Sequence, residues 1–534
     1  MAALAGLYFA VAVVLLFASG ALESDFSSFE DEPSHLASSL MVRDYTLTGF
    51  AEGPLDYAKN YYLHYPKVTI GHWPPMLPAL LGTWLLALGT SSFAILSFFA
   101  VLATLIALLV YFGAREDAGD RLAALLGLSF LLLPVVQKFG HMVMTELPLT
   151  LFCTLAVLRF GRFLEQGRTR DSLAFGVFAA AGILTKGSPI FLALVPPVSI
   201  ALSGRWSLLR RPALWGSAGV VLLLCAPWYF ATIGVSTSSW VGGAKPSLEH
   251  AVPAAGFYAR ELLRIGGWVS GGLALVGFGC ALGSERRRGR WSAYAAWVPS
   301  IFLCHLLVST GPQARHLTLI VPVWLMAAAL GARLIVDRLP RLALGGVHVV
   351  PAAVVLSLLP FLKLERKECT GHGDAARALL ADESLGEDAI FLINSDSRGE
   401  GGFVASVALH EERPGHIVLR ASKVVGKSDW MGLVYEPRFA TLEELQAFLT
   451  EIGVDIVALD DSAPERRRVE HDRMLRGLIE GAPDRWSEYG SFDVVRDGVV
   501  LPDALKLYRQ DLTSAPPRRE LTFADLVGRE LPWR

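Results

Sequence analysis

Over its first two thirds the chain alternates long apolar runs with short polar connectors. The runs lie near 4–20, 92–112, 122–136, 146–162, 173–184, 188–203, 214–231, 266–283, 292–309, 317–335 and 343–362. A membrane helix needs roughly 20 apolar residues, and fewer suffice inside a bundle. The pattern predicts a polytopic α-helical membrane protein of about eleven spans. Between the first two spans, 21–75 is polar, with a short helix over 31–45, and 76–89 is apolar up to a Gly89-Thr90 break. That stretch predicts a helix lying on the membrane surface, so that 21–91 forms an outer loop with juxtamembrane helices. The connector 232–265 holds Gly242-Gly243, Pro246 and Pro253, which predicts a partly ordered, partly mobile loop suited to act as a lid. From 363 the pattern is that of a soluble domain. Strands are expected over 389–393 and 454–459, with a helix over 441–452. The division is a membrane domain 1–362, a small α/β domain 363–510, and a loosely held tail 511–534 around Pro516-Pro517-Arg518-Arg519.

Charge sets the orientation. Arginines crowd alternate connectors: Arg205, Arg210 and Arg211; Arg286, Arg287, Arg288 and Arg290; Arg333, Arg338 and Arg341. The positive-inside rule places these in the cytoplasm. Alternation then places Asp31-Glu32, His72, Glu146, Lys186 and Arg315-His316 on the outer side, together with the domain after 363. The first run has no Lys or Arg before it, so it is read as an uncleaved helix despite Ala18-Ser19-Gly20-Ala21. A composition of 53% hydrophobic and 18% charged residues fits a membrane protein, and a net charge of -2 gives no basic field for nucleic acid. Cys153, Cys225, Cys280 and Cys304 sit in apolar runs as packing residues, and with Cys369 they have neither disulfide nor zinc spacing. The soluble part shows no Gly-rich phosphate loop and no nucleophile elbow.

Ionisable groups at a membrane boundary are costly unless paired or hydrated, so convergent ones suggest a site. Each has a bland alternative. Asp31 suits a helix N-cap, Glu146 a helix N-terminal charge, Lys186 and Arg315 snorkelling cations, and His72 an interfacial residue beside Trp73. Together they match one chemistry, in which a hydroxyl attacks a sugar carbon that carries a lipid phosphate. That reaction needs a carboxylate to take the proton, for which Asp31 and Glu32 are candidates. It also needs cations for the departing phosphate, for which Lys186, Arg315 and His72 are candidates. Glu146 would orient the base, hold a sugar hydroxyl or help hold a metal. A transporter or lipid flippase is the rival, but it would place its ionisable groups near span midpoints.

Four segments carry a resemblance: Asp31-Glu32 after the first span; His72-Trp73-Pro74-Pro75-Met76-Leu77; Thr145-Glu146-Leu147-Pro148-Leu149 with Gly182-Ile183-Leu184-Thr185-Lys186-Gly187; and Ala314-Arg315-His316-Leu317 with Pro322. In this order the chain resembles the C-type-fold membrane glycosyltransferases, and within them the bacterial branch related to protein O-mannosyltransferases and the aminoarabinose transferase of lipid A. The resemblance covers roughly 1–362. It implies a polyprenyl-phosphate sugar donor, inversion at the anomeric carbon, and an extracytoplasmic glycan, lipid or protein acceptor, at a bacterial inner membrane. It implies Asp31 as the base, Glu32 and Glu146 as residues shaping the site, and Lys186, Arg315, His72 and His316 as the set around the donor phosphate. A divalent metal is left open. The chain departs from the family in having Trp73 where many relatives have Lys before Pro-Pro, Glu146 where Asp is common, and His316 where Tyr is common. Those changes keep a third reading, a catalytically degenerate scaffold, in view.

Overall fold

The computed structural model describes residues 1–240, 248–307, 311–338, 363–428, 435–465, 468–513 and 517–527. The membrane part consists of α1 (Ala2–Ala18), α2 (Glu32–Leu47), α3 (Pro54–His64), α4 (Met76–Leu88), α5 (Ser92–Ala118), α6 (Asp120–Leu132), α7 (Pro134–Gly140), α8 (Glu146–Gln166), α9 (Thr169–Ile183), α10 (Val195–Ser203), α11 (Pro212–Trp240), α12 (Leu248–Gly283), α13 (Glu285–Leu307) and α14 (Val321–Arg338). Short 3-10 turns, Ser188–Leu194 and Ala314–Ile320, lead into α10 and α14. Ten of the eleven expected spans coincide with helix, and 343–362 lies outside the described residues. Among the described residues, four helices are long and apolar enough to cross a membrane, or six if each bent pair counts as one.

The departures from expectation have local causes. The run 122–136 is not one helix. It bends by 60° between α6 and α7, because Leu133 precedes Pro134 and takes extended backbone. The connector 232–265 is largely helical: α11 continues to Trp240 and α12 begins at Leu248. Pro253 sits inside the first turns of α12, where it costs one helical hydrogen bond. Gly242-Gly243 and Pro246 fall in 241–247, outside the described residues. At Gly267, φ of +76° breaks α12, a conformation that suits glycine. Further on, Gly277 of α12 and Gly331 of α14 meet so closely that a Cβ on either would strike the other helix's backbone.

The two sets of connectors separate as charge predicted. At one end, Asp117 pairs with Arg287 and Arg290, each at 2.9 Å, and Arg290 also faces Glu165 at 3.7 Å. Glu165 lies near the end of α8 and Glu146 begins it. At 1.5 Å per residue, α8 holds them about 30 Å apart, the thickness of a bilayer's hydrocarbon core. The other end carries the outer loop and the soluble domain.

In the soluble domain, β1 (Ile390–Asn394), β2 (Ile417–Arg420), β5 (Ile456–Asp460), β6 (Trp486–Arg496) and β7 (Val499–Gln510) form a sheet in the order β2-β1-β5-β7-β6, while β3 (Gly426–Ser428) and β4 (Tyr435–Pro437) form a separate pair. β1 runs parallel to β2 and β5, and β7 is antiparallel to β5 and β6. The expected strands and helix appear as β1, β5 and Leu442–Ile452, the helix capped by the Thr441 hydroxyl. The β6–β7 hairpin escaped sequence reading because its positions are mostly polar or half-buried. The tail is not loose over 518–527. Arg518 pairs with Asp455 at 2.8 Å, and Leu521 and Leu526 are buried against the domain core.

The domain grips the outer loop through buried polar contacts. Asp44 of α2 receives Arg413 Nε at 2.7 Å and the Tyr61 hydroxyl at 2.9 Å, and the Tyr65 hydroxyl donates to Glu411 at 2.6 Å. The side chains of Arg413 and Asp44 are 7% and 9% exposed. Asp44 also pairs with Arg43 at 2.6 Å, so it keeps one cation when Arg413 is removed. Arg413→Met is therefore expected to destabilise the protein by about 1.5–3 kcal/mol, the range for a hydrogen bond to a charged group, read by thermal unfolding of the full chain in detergent.

Candidate active site

Asp31 stands at the start of α2, but its side chain makes no capping hydrogen bond. It turns to Arg315 instead, whose Nη1 lies 3.4 Å from Asp31 Oδ2. Arg315 belongs to the 3-10 turn that opens α14, and its guanidinium lies over the Phe29 ring at 4.5 Å. The same Nη1 is 3.6 Å from Glu146 Oε1. Glu146 is the first residue of α8, where the helix dipole favours a carboxylate. Lys186, in the turn after α9, brings Nζ to 4.0 Å from the same Glu146 oxygen. Its ammonium also lies 5.4 Å from the Trp73 ring centre. A backbone bond from Met76 N–H to the Leu184 carbonyl, 3.0 Å, holds the Pro-Pro segment against the Lys186 turn. Four of the seven singled-out residues thus come together: Asp31, Glu146, Lys186 and Arg315.

The other three are placed differently. Glu32 is fully buried and faces Lys367 at 2.8 Å. His72 packs edge-on against Trp73, ring centres 5.0 Å apart. His316 stacks on His305 at 3.9 Å and shares a 2.7 Å hydrogen bond between its Nδ1 and the Tyr258 hydroxyl. Sequence reading missed several neighbours: Phe29, His35, Lys67 and Lys367. Of these, His35 had a signal. It sits one helical turn after Asp31, on the same face of α2.

The electrostatics follow from burial. Burial pushes Asp31 up, but His35, Arg315, Lys186 and Lys67 outweigh it, and the carboxyl ends below its usual range. His35 is itself pushed down to about 4, chiefly by burial. It is neutral at neutral pH, so Arg315 and Lys186 are the principal cations holding Asp31 ionised. Burial takes His72 to about 4 as well, against the pull of Asp31, and Lys67 to about 7. His72 is thus uncharged at neutral pH, and any contact it makes with an anion runs through a ring N–H rather than a charge.

Polar atoms here are incompletely satisfied. Glu146 Oε2, Arg315 Nε, Trp73 Nε1 and His35 Nδ1 are buried with no hydrogen-bond partner among the described residues. Buried polar atoms are ordinarily paired, so a cluster of unmet donors and acceptors beside two carboxylates and two cations marks a place built for a polar ligand. The donor set fits a divalent ion poorly. Asp31 and Glu146 both face Arg315, and among the described residues no group of three or more His, Cys, Asp or Glu is placed to hold a metal.

Comparison with known proteins points the same way. Residues 72–230 match the profile of the dolichyl-phosphate-mannose-protein mannosyltransferase family. No curated protein matches by sequence. Among solved structures, ArnT from Cupriavidus metallidurans bound to undecaprenyl phosphate superposes with a TM-score of 0.61 at 14% identity, over 96% of this chain and 99% of that one. The oligosaccharyltransferase of Archaeoglobus fulgidus, tethered to an acceptor peptide, gives 0.52 at 13% identity, over 92% and 74%. Its complex with an inhibitory peptide and dolichol phosphate gives 0.51 at 14%, over 95% and 75%. Over 72–230 the chain is thus similar to the dolichyl-phosphate-mannose-protein mannosyltransferases, and over nearly its whole length it shares the fold of ArnT and of the archaeal oligosaccharyltransferase.

Proposed function

We propose that the chain transfers a sugar from a polyprenyl-phosphate donor to an extracytoplasmic acceptor at a bacterial inner membrane, with inversion at the anomeric carbon. The observation that carries this reading is Arg315, which bridges Asp31 and Glu146 while Lys186 faces Glu146. The Asp31 carboxylate takes the acceptor's proton as its oxygen attacks the anomeric carbon. The bond from that carbon to the phosphate oxygen breaks, and its electron pair leaves with the phosphate. Lys186 and Arg315 meet the charge that develops there. Glu146 holds both cations in place and offers its unmet oxygen to a sugar hydroxyl. His72 adds a neutral N–H at the Pro-Pro segment. One displacement from the opposite face inverts the centre. The bound lipid phosphates of ArnT and the archaeal enzyme support the donor class. The position of these groups at helix starts and turns, rather than at span midpoints, argues against a transporter.

The test is transfer by purified, reconstituted protein from a panel of polyprenyl-phosphate sugars to an envelope acceptor extract. One donor should be consumed, and the product's anomeric configuration, read by NMR, should be opposite to the donor's. EDTA should leave the rate unchanged, because the carboxylates are committed to Arg315. Retention of configuration would sink the single-displacement mechanism. Undecaprenyl phosphate binding with no donor consumed would shift the reading to a scaffold or lipid carrier.

A further inference from the structure

The connection into the soluble domain, residues 363–369, exposes Lys363, Leu364 and Arg366 but buries Lys367 and Cys369. It threads between the loop that carries Asp31 and the loop that leads to Glu146. On one side, Gln137 of α7 donates from Nε2 to the Lys363 carbonyl at 3.0 Å and accepts the Glu365 N–H at 3.1 Å. On the other, Lys367 N–H bonds the Ser19 carbonyl at 2.9 Å, the Ser24 hydroxyl donates to the Lys367 carbonyl at 2.5 Å, and Asp25 N–H bonds the Cys369 carbonyl at 2.6 Å. The Lys367 side chain, 1% exposed, passes over the Phe26 ring at 4.6 Å and ends 2.8 Å from Glu32 Oε1. Glu32 is 0% exposed and spends its remaining capacity on backbone. Oε2 accepts Ser28 N–H at 2.9 Å, and Oε1 accepts Val143 N–H at 3.1 Å. Ser28 is three residues before Asp31, and Val143 is three before Glu146.

We propose that Lys367 is a positioning residue. By neutralising Glu32, it locks the Ser28 and Val143 segments together and so fixes the separation of Asp31 and Glu146 that Arg315 spans. The soluble domain's attachment is then part of the catalytic geometry. As a statement about catalysis this rests on the function proposed above, whereas the clamp itself stands on the contacts alone. Removing one partner of a buried ion pair leaves the other charge uncompensated. Without Lys367, Glu32 loses the cation that holds it between Ser28 and Val143, and the two loops slacken. Misplacement of reacting groups by about 1 Å costs on the order of 10²-fold in rate.

Two measurements on the full chain test it: amide hydrogen exchange, and transfer kinetics per folded molecule. Lys367→Met should speed exchange in segments 24–36 and 139–147 while β1 and β5 stay protected. It should also lower kcat about 10²-fold, with the donor KM within about twofold. Lys367→Arg should restore both. The double variant Glu32→Gln/Lys367→Met removes both charges and so avoids an orphaned buried carboxylate. It should show the same exchange pattern, because a single amide cannot replace the carboxylate toward Ser28 and Val143. Unchanged exchange in these two segments overturns the clamp. So does faster exchange spread evenly over the soluble domain with turnover per folded molecule retained, which is what a merely structural pair would give. If wild type consumes no donor, the functional reading fails separately, and the exchange data still decide whether Lys367 holds the loops.

Discussion

Asp31→Asn is expected to leave a folded protein that binds lipid phosphate as wild type does and transfers sugar about 10²–10⁴-fold more slowly, the range for loss of a positioned general base. Asparagine keeps the size of the side chain and an oxygen for Arg315 to donate to, so the bridge to Glu146 survives. What is lost is a group that can take the acceptor's proton. The competing role, a helix cap, predicts a different outcome: about 1 kcal/mol of stability lost with turnover retained. Against the cap, the Asp31 side chain makes no capping bond and faces Arg315 at 3.4 Å. The check is kcat beside a melting curve and an undecaprenyl phosphate binding isotherm. Wild-type turnover in the variant would remove Asp31 from the mechanism.

Arg315→Met should be nearly as damaging, by about 10²–10³-fold in kcat/KM, but with a different signature. Arg315 meets Asp31 and Glu146 through one nitrogen, and its removal leaves two carboxylates facing each other without the bridge. Asp31 is held below its usual range partly by Arg315. Without the guanidinium its carboxyl titrates higher, so the acid limb of the pH–rate profile moves to higher pH. The sign for stability follows. A depressed carboxyl contributes stability above the ordinary carboxylate range, and that contribution disappears as pH falls through the folded-state value. The variant should therefore lose stability at neutral pH and show a weaker further loss on acidification than wild type. Arg315→Lys keeps the charge but not the fork geometry and should recover only part of the rate. An acid limb that stays in place would show that Asp31 is not the titrating base.

The membrane architecture was legible because its cause is local. An apolar run long enough to span announces itself, and arginine placement orders the runs by side. The same simplicity misled at Leu133-Pro134, where hydropathy continues through a bend that backbone sterics impose. It also misled over 232–265, where Gly and Pro suggested a loop and helix occupies most of the segment. The β6–β7 hairpin was missed because its positions are mostly polar or half-buried, and the packing of 518–527 because its partners lie far away in sequence.

The candidate site divides in the same way. Residue types at helix starts and turns singled out Asp31, Glu146, Lys186 and Arg315, since an ionisable group beside an apolar run is conspicuous without any partner in view. Which of them meet is a matter of packing. Asp31 and Arg315 are 284 positions apart, and their contact exists because the starts of α2 and α8 and the turn before α14 come together. Tertiary structure also separated two adjacent carboxylates that sequence treats alike. Asp31 faces the cations of the site, whereas Glu32, on the next residue, turns into the protein toward Lys367, 335 positions away. Hydropathy and charge along the chain pointed to the membrane class and to which connectors share an end, because those depend on each segment's own solvation. The pairing of Glu32 with Lys367, and the burial that leaves His35 and His72 neutral, were decided only by the folded structure. A group's partners and local dielectric belong to the surrounding elements, not to the residue itself.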